Sequence, residues 1–253
     1  MSFLKYGNYE IKYIDFYNME NYDNSDLEEH SKVIKNVLNV HKQDLLPINH
    51  IAFLEKHCAL FSPSVAYDIG AACLHWQRHI KRIHPECQVI CFDANPDMEF
   101  LYQRENVEYQ IALLSDTDNL KLKYYYNRHL FGGNSYYREL GYDGSGKHFP
   151  ENKFLIRQTR TLDSLVEEHQ YSMPQLMKLD VQGAELDVLK GATNVLKYCK
   201  YLILELQEIN YNKNCPKANE VVEYLKSIGY LEIAHKFSDN YADYDSCFVN
   251  TKI

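Results

Sequence analysis

Val65–Ala66–Tyr67–Asp68–Ile69–Gly70 and Val89–Ile90–Cys91–Phe92–Asp93, joined by a helix-forming stretch to about Ile83, are the segments on which the fold turns. Each is a short apolar run closed by an acid, the length and composition of a strand buried on both faces. The same character returns downstream. A helix is expected over roughly Met98–Arg104 and a third strand over Tyr109–Leu114; Leu176–Val181 and Tyr201–Leu206 read as two more strands. Apolar strands separated by helices predict a mostly parallel sheet covered on both faces. The chain ends differently. Glu220–Ile228 reads as a helix stopped by Gly229, and Tyr230–Ala234 and Ser246–Val249 read as an antiparallel hairpin at the sheet edge.

Upstream, residues 1–62 are expected to form an N-terminal helical extension after an irregular, Tyr- and Asn-rich start. Ser25 and Glu28 have capping-box spacing ahead of Leu27, Val33, Ile34, Val37 and Leu38. A second helix is expected from about Pro47, carrying Ile48, Ile51, Leu54 and Leu60. Residues 63–253 then make one α/β domain, interrupted by a Tyr/Gly-rich loop at about 121–154. Long loops inside compact domains tend to be functional, and tyrosine both stacks on sugar rings and hydrogen-bonds them. Asn134, Ser135, Tyr136 and Arg138 of this loop are the candidate acceptor contacts. Arg128, Arg157 and Arg160 flank it and could hold a diphosphate, although solvated loop charges are the plainer reading.

Bulk properties bound the function. The 253 residues are 45% hydrophobic and 25% charged, with a formal net charge of -8. That balance argues against a nucleic-acid polymer as ligand, since neutralising phosphates needs Lys and Arg. Seven scattered cysteines without a CxxC pair indicate reduced thiols rather than a zinc ribbon or redox motif. A polar N-terminus and the lack of a long apolar run suggest a cytoplasmic protein without membrane insertion. His75 and His79 have i, i+4 spacing that suits zinc, but without a third ligand solvent-facing histidines are expected. His129, His148 and His235 are further candidates for a base or a metal ligand.

Three motifs carry the chemistry. Asp68–Ile69–Gly70–Ala71 is a strand ending ahead of a helix, where glycine permits close approach to a cofactor. Asp93, at the end of the next strand and followed by Ala94, Asn95 and Pro96, is placed to accept hydrogen bonds from ribose hydroxyls. Helix capping is the structural alternative for both acids. The third motif is Lys178–Leu179–Asp180–Val181–Gln182–Gly183–Ala184–Glu185–Leu186–Asp187–Val188–Leu189–Lys190–Gly191–Ala192. Lys178 and Asp180 are two apart on a strand, hence on one face, and such a buried pair is costly unless each charge is partnered. Gly183 suits a tight strand-to-helix turn and Gly191 a helix C′ position.

This third motif resembles the K-[IL]-D-V-[EQ]-G-A-E-x-x-V-L-x-G-A signature of the FkbM family of methyltransferases. Other pieces follow in family order. Asp68–Ala71 resembles the cofactor strand and Phe92–Pro96 the F-E-P-N-P element. Ile111–Asp116 resembles the A-x-S-D segment, Thr161–Leu162–Asp163 the T-L-D element, and Leu204–Glu205 the acid-bearing strand. The resemblance spans about Val65–Val249. Three departures stand out: Ala72 and Leu74 occupy the asparagine and second glycine of D-I-G-A-N-x-G, Asp93 replaces Glu, and Gln182 replaces Glu.

The resemblance implies a Rossmann-like fold, S-adenosylmethionine as methyl donor, and O-methylation, often of sugars. It implies cofactor contacts from Asp68, Gly70, Ala71, Asp93, Ala94, Asn95, Ala112 and Ser115, with Trp76 and Gln77 as further candidates. Asp180, Lys178 and Glu205 become the candidate catalytic residues. Asp180 and Glu205 could instead hold a divalent metal such as Mg or Mn, as in related sugar O-methyltransferases, with an ion-pair network around Lys178 as the structural alternative. The expected partner is a sugar or nucleotide-sugar acceptor, and a homo-oligomer is allowed. Two other readings stay open: a non-sugar small-molecule acceptor, or an inactive Rossmann-like binding domain, which Leu74 favours and the buried charges oppose. A dehydrogenase fits worst, having no use for the third motif.

Overall fold

The computed structural model describes residues 3–6, 9–12, 24–43, 62–239 and 243–253. Its centre is a seven-stranded sheet of β3 (Val65–Ile69), β4 (Gln88–Asp93), β5 (Glu108–Ile111), β9 (Leu176–Leu179), β10 (Tyr201–Gln207), β11 (Tyr230–Asp239) and β12 (Asp243–Asn250). The spatial order is β11-β12-β10-β9-β3-β4-β5. The five strands from β10 to β5 are parallel, and β12 runs antiparallel to both β10 and β11. This is the expected Rossmann-like sheet with its antiparallel hairpin at the end.

Period-two alternation sorts the strand side chains between two cores. Tyr67, Ile69, Ile90, Phe92 and Met177 face α4 (Leu162–His169), α5 (Glu185–Lys190) and α6 (Ala218–Ile228). Ala66, Val89, Cys91, Ile203 and Cys247 face α1 (Asn24–Lys42), α2 (His75–Ile83) and α3 (Glu99–Arg104). Both faces are covered, so β3 and β9 are buried along their whole length. Val33, Ile34, Val37 and Leu38 form the buried stripe of α1, as their spacing predicts. The helix starts at Asn24, which puts Ser25 inside its first turn rather than at its cap.

Several expectations are corrected. The start of the chain is not irregular throughout: β1 (Phe3–Tyr6) and β2 (Tyr9–Lys12) pair antiparallel. The helix expected from Pro47 lies outside the described residues, as does Cys58. The run Tyr109–Leu114 is split at Ala112, whose N–H donates to the Asp93 carbonyl at 2.9 Å. Beyond it, β6 (Leu113–Leu114) leaves the main sheet and joins a small one. There β8 (Leu155–Arg160) lies between β6 and β7 (Lys121–Tyr124). The 121–154 segment therefore begins as a strand and returns into one, leaving residues 125–154 as the connection. Gly191 caps α5 with an ordinary φ of -80°. Its requirement for glycine is spatial: a Cβ there would sit 2.2 Å from the Ser115 carbonyl oxygen. The six described cysteines are all buried free thiols. No helix among the described residues is long and apolar enough to cross a membrane.

Candidate active site

A cavity opens at the carboxyl ends of β3, β4 and β9, where ligands bind in open parallel sheets. It encloses about 130 Å³, below the ~300–1,000 Å³ usual for small-molecule sites. The strand ends supply Gly70, Asp93 and Asp180, and the 125–154 connection roofs them with Phe131, Asn134 and Tyr136.

At one side of this cavity Asp93 is held rigidly. The backbone amides of Ala72 and Asn95 donate to its two oxygens at 2.8 and 2.7 Å, and the Tyr102 hydroxyl lies 3.4 Å away. Burial raises its pKa in spite of these donors. Oδ2 takes the Ala72 amide and the Tyr102 hydroxyl, whereas Oδ1, which takes the Asn95 amide, keeps a second lone pair for a ligand hydroxyl. The loop that supplies the Ala72 amide is strained. Ala72 and Leu74 take φ of 40° and 64°, left-handed values that asparagine and glycine adopt more readily. The two family departures thus change the side chains and leave a left-handed backbone. Leu74 is wholly buried between α1 and the sheet. Gly70 is needed for another close approach: its Cβ would meet the Asp180 carbonyl oxygen at 1.8 Å, so the glycine lets the β3 and β9 loops touch.

Across the cavity lies a charged cluster. Lys178 Nζ is 3.1 Å from Asp180 and 3.8 Å from Asp68. Asp68 is fully buried, and neither of its oxygens accepts a well-formed hydrogen bond. Burial pushes it up to about 6, against the pull of Lys178 and the Gln77 backbone amide. Burial alone would lower Lys178, but Asp180 and Asp68 outweigh it and raise it. Burial acts on Asp180 too, yet Lys178 and the Gln182 amide bring it below the ordinary range. Glu205 goes the other way: burial and the carboxylates of Asp180, Asp243 and Asp245 push it well up. The Asp180–Glu205 pair therefore carries its negative charge on Asp180.

Gln182 explains why the pair does not fit a divalent metal. Its Nε2 donates to Asp180 at 2.9 Å and to Glu205 at 2.7 Å, placing a hydrogen-bond donor between the two oxygens that would ligate. Among the described residues no three His, Cys, Asp or Glu side chains converge as ligands. Glu185 ligates nothing either; it accepts the Val181 and Gly183 amides and closes the turn.

The other candidates divide. Ala94, Ala112, Asn134, Ser135 and Tyr136 lie on the cavity wall with Gly70, Asp93 and Asp180. Ala71 is buried behind it, donating to the Phe92 carbonyl. Asn95 caps the following turn by accepting the Asp97 amide at 2.9 Å. Ser115 sits behind Tyr136 and donates its amide to the Arg160 carbonyl. Trp76 is 2% exposed and belongs to the core, while Gln77 acts through its backbone on Asp68. Arg138 donates to the Phe149 carbonyl, and Arg157 to that of Ala94. Arg128 pairs with Asp97, and Arg160 with Asp118 and Glu168.

His75, His79, His129, His148 and His235 do not line the cavity. His79 is buried against Arg82 rather than facing solvent as expected, and His75, half-buried, bonds the Val40 carbonyl. His129 and His235 pair with Glu29 and Glu232, and His148 is exposed. The residues that sequence reasoning missed are the roof-forming Phe131, the apolar wall of Leu113 and Leu114, and Asp187. The hydroxyls of Tyr136 and Tyr137 both donate to Asp187, at 3.0 and 2.8 Å, locking the roof to α5. Asp187 stood in plain view inside the third motif, but its partners are fifty residues away.

The methyltransferase FkbM domain model matches residues 65–232. The chain belongs to the FkbM methyltransferase family. Among curated relatives of this FkbM protein is the hexuronic acid methyltransferase AglP of Haloferax volcanii, 39% identical over 64 residues. That match spans 25% of this chain and 26% of the relative, about a quarter of each. Methyltransferase FkbM from Methylobacillus flagellatus KT aligns over 87% of this chain and 59% of its own, with 11% identity and a TM-score of 0.46. The O-methyltransferase from Bacillus cereus in complex with SAH aligns over 92% and 93%, with 14% identity and a TM-score of 0.45.

Proposed function

We propose that this protein is an S-adenosylmethionine-dependent O-methyltransferase whose acceptor is a sugar hydroxyl, carried on a nucleotide-activated sugar or a glycan precursor. The observation that carries the reading is the pairing, across one cavity, of an immobilised Asp93 with an Asp180 kept ionised by Lys178. Asp93 has the rigidity to receive the ribose, with a lone pair of Oδ1 left for one of its hydroxyls. The apolar wall of Phe92, Leu113 and Leu114 suits a flat adenine ring. Family membership supports the methyl donor, and the short match to a hexuronic acid methyltransferase supports a sugar acceptor.

S-adenosylmethionine, when bound, supplies a methyl group on a positively charged sulfur, already activated toward attack by oxygen. The protein's work is then alignment and proton removal. With the cofactor bound, Asp180 would hold the acceptor hydroxyl and take up its proton as the methyl group is transferred. Lys178 keeps Asp180 ionised until that moment, and Gln182 fixes its orientation from the side. Glu205, whose pKa burial and the neighbouring carboxylates raise, holds Gln182 from the other side. Asn134, Ser135 and Tyr136 close the cavity over the acceptor and exclude water.

Calorimetric titration with S-adenosylmethionine and S-adenosylhomocysteine tests this directly, beside Asp93→Ala and Asp180→Asn. Saturable binding is expected for the natural protein and Asp180→Asn, and none for Asp93→Ala. With an acceptor found from a panel of nucleotide sugars, Asp180→Asn should lose at least 100-fold in turnover, the order of a general-base contribution. A folded protein that binds neither cofactor form ends the proposal.

A further inference from the structure

The roof of the cavity holds a donor that none of the described residues uses. Asn134 Oδ1 accepts the Asn127 backbone amide at 2.7 Å. Only the oxygen of the amide can accept, so this bond fixes which end is which. Nδ2 is therefore the other end; it is shut off from solvent and meets no acceptor among the described residues. The turn that presents it is braced. Asn127 Oδ1 accepts the amides of His129 and Leu130 at 3.0 and 3.2 Å. Gly133 packs so tightly that a Cβ would stand 2.0 Å from Glu139 Oε2. A desolvated donor without a partner destabilises the fold, and at a cavity wall a ligand can relieve that cost.

The chemistry of the wall says which ligand atom it meets. Ser135 and Tyr136 donate their hydroxyls to the Val181 carbonyl and Asp187, and Gln182 donates to Asp180 and Glu205. Among the described residues no Lys or Arg lines the cavity, whereas Asp93 and Asp180 do. An anionic group entering here depends on neutral donors. On the function proposed above, the cofactor brings one such group, the carboxylate of its amino-acid part. We infer that Asn134 Nδ2 donates to this carboxylate, so that the connection carrying the acceptor contacts is also the clasp of the cofactor.

Two probes separate the possibilities: S-adenosylhomocysteine, which has the carboxylate, and 5′-methylthioadenosine, which lacks the amino-acid part. Asn134→Asp keeps an oxygen for the Asn127 amide and removes the donor; Asn134→Ala removes both. Both variants should bind S-adenosylhomocysteine roughly 10- to 100-fold more weakly, with methylthioadenosine affinity within about twofold of the natural protein. Thermal unfolding without ligand checks that both variants are folded. Equal loss for both probes, or unaltered S-adenosylhomocysteine affinity, overturns the inference and leaves the proposed function standing. A natural protein that binds neither probe removes the function first, and this inference with it.

Discussion

Ala72→Gly and Leu74→Gly should move stability in opposite directions, although both place glycine at a left-handed position two residues apart. At φ of 40° and 64° each side chain clashes with its own backbone, at a cost of about 1–2 kcal/mol per residue. Glycine removes that clash but loses about 0.5–1 kcal/mol to the greater freedom of the unfolded chain. For Ala72, which is half-buried, little else changes, and the net gain is about 0.5–1 kcal/mol. Leu74 is 0% exposed in the core beneath α1. Truncating such a leucine costs ~2–5 kcal/mol, so its replacement loses about 2–4 kcal/mol after the strain is released. Urea denaturation at constant slope measures both changes as shifts of midpoint. Thermal midpoints should shift by ~2–4 °C for each kcal/mol. A destabilised Ala72→Gly or a stabilised Leu74→Gly would refute the strain argument. Because the Ala72 amide is aimed at Asp93, Ala72→Gly should keep its cofactor affinity.

Stability should also depend on pH through Glu185, which burial pushes up to about 7 from an ordinary 4.5. The folded protein holds a proton between these values that the unfolded chain has released, so stability falls as pH rises from about 4.5 to 7 and is flat beyond. Glu185→Gln should flatten that slope in urea titrations across the interval, and an unchanged slope would assign the charge elsewhere. Gly191→Ala should cost about 1–3 kcal/mol by overpacking, since its Cβ would stand 2.2 Å from a backbone oxygen; thermal unfolding checks it, and a neutral result would mean the Ser115 segment gives way.

The sheet was legible because its strands are buried on both faces and therefore read as unbroken apolar runs. The small sheet was not. Lys121–Tyr124 and Leu155–Arg160 each bury a single residue, Tyr124 and Thr159, and the tyrosines and glycines between them dominate the reading. In the site, acids at strand ends were readable because a buried charge needs a reason. The roles of Asn95 and Ser115 were not, since a capping amide and a ligand-binding amide look alike in sequence. Trp76 and His79 went into the core because α2 packs against α1, a contact that no local pattern records. The bridge made by Gln182 was hidden for a similar reason: its two carboxylates come from different strands.

Three ties join α1 to the tip of the roof. Arg128 Nη2 lies 2.6 Å from His30 Nδ1, His129 pairs with Glu29 at 2.6 Å, and Asn36 donates to the His129 carbonyl at 3.3 Å. Helix α1 lies outside residues 65–232, where the family match falls. The roof is thus inherited as half of a two-part unit whose other half is more than ninety residues upstream. A chimera that grafts only residues 125–154 onto a relative would arrive with Arg128 and His129 facing the wrong helix, and α1 would have to travel with them.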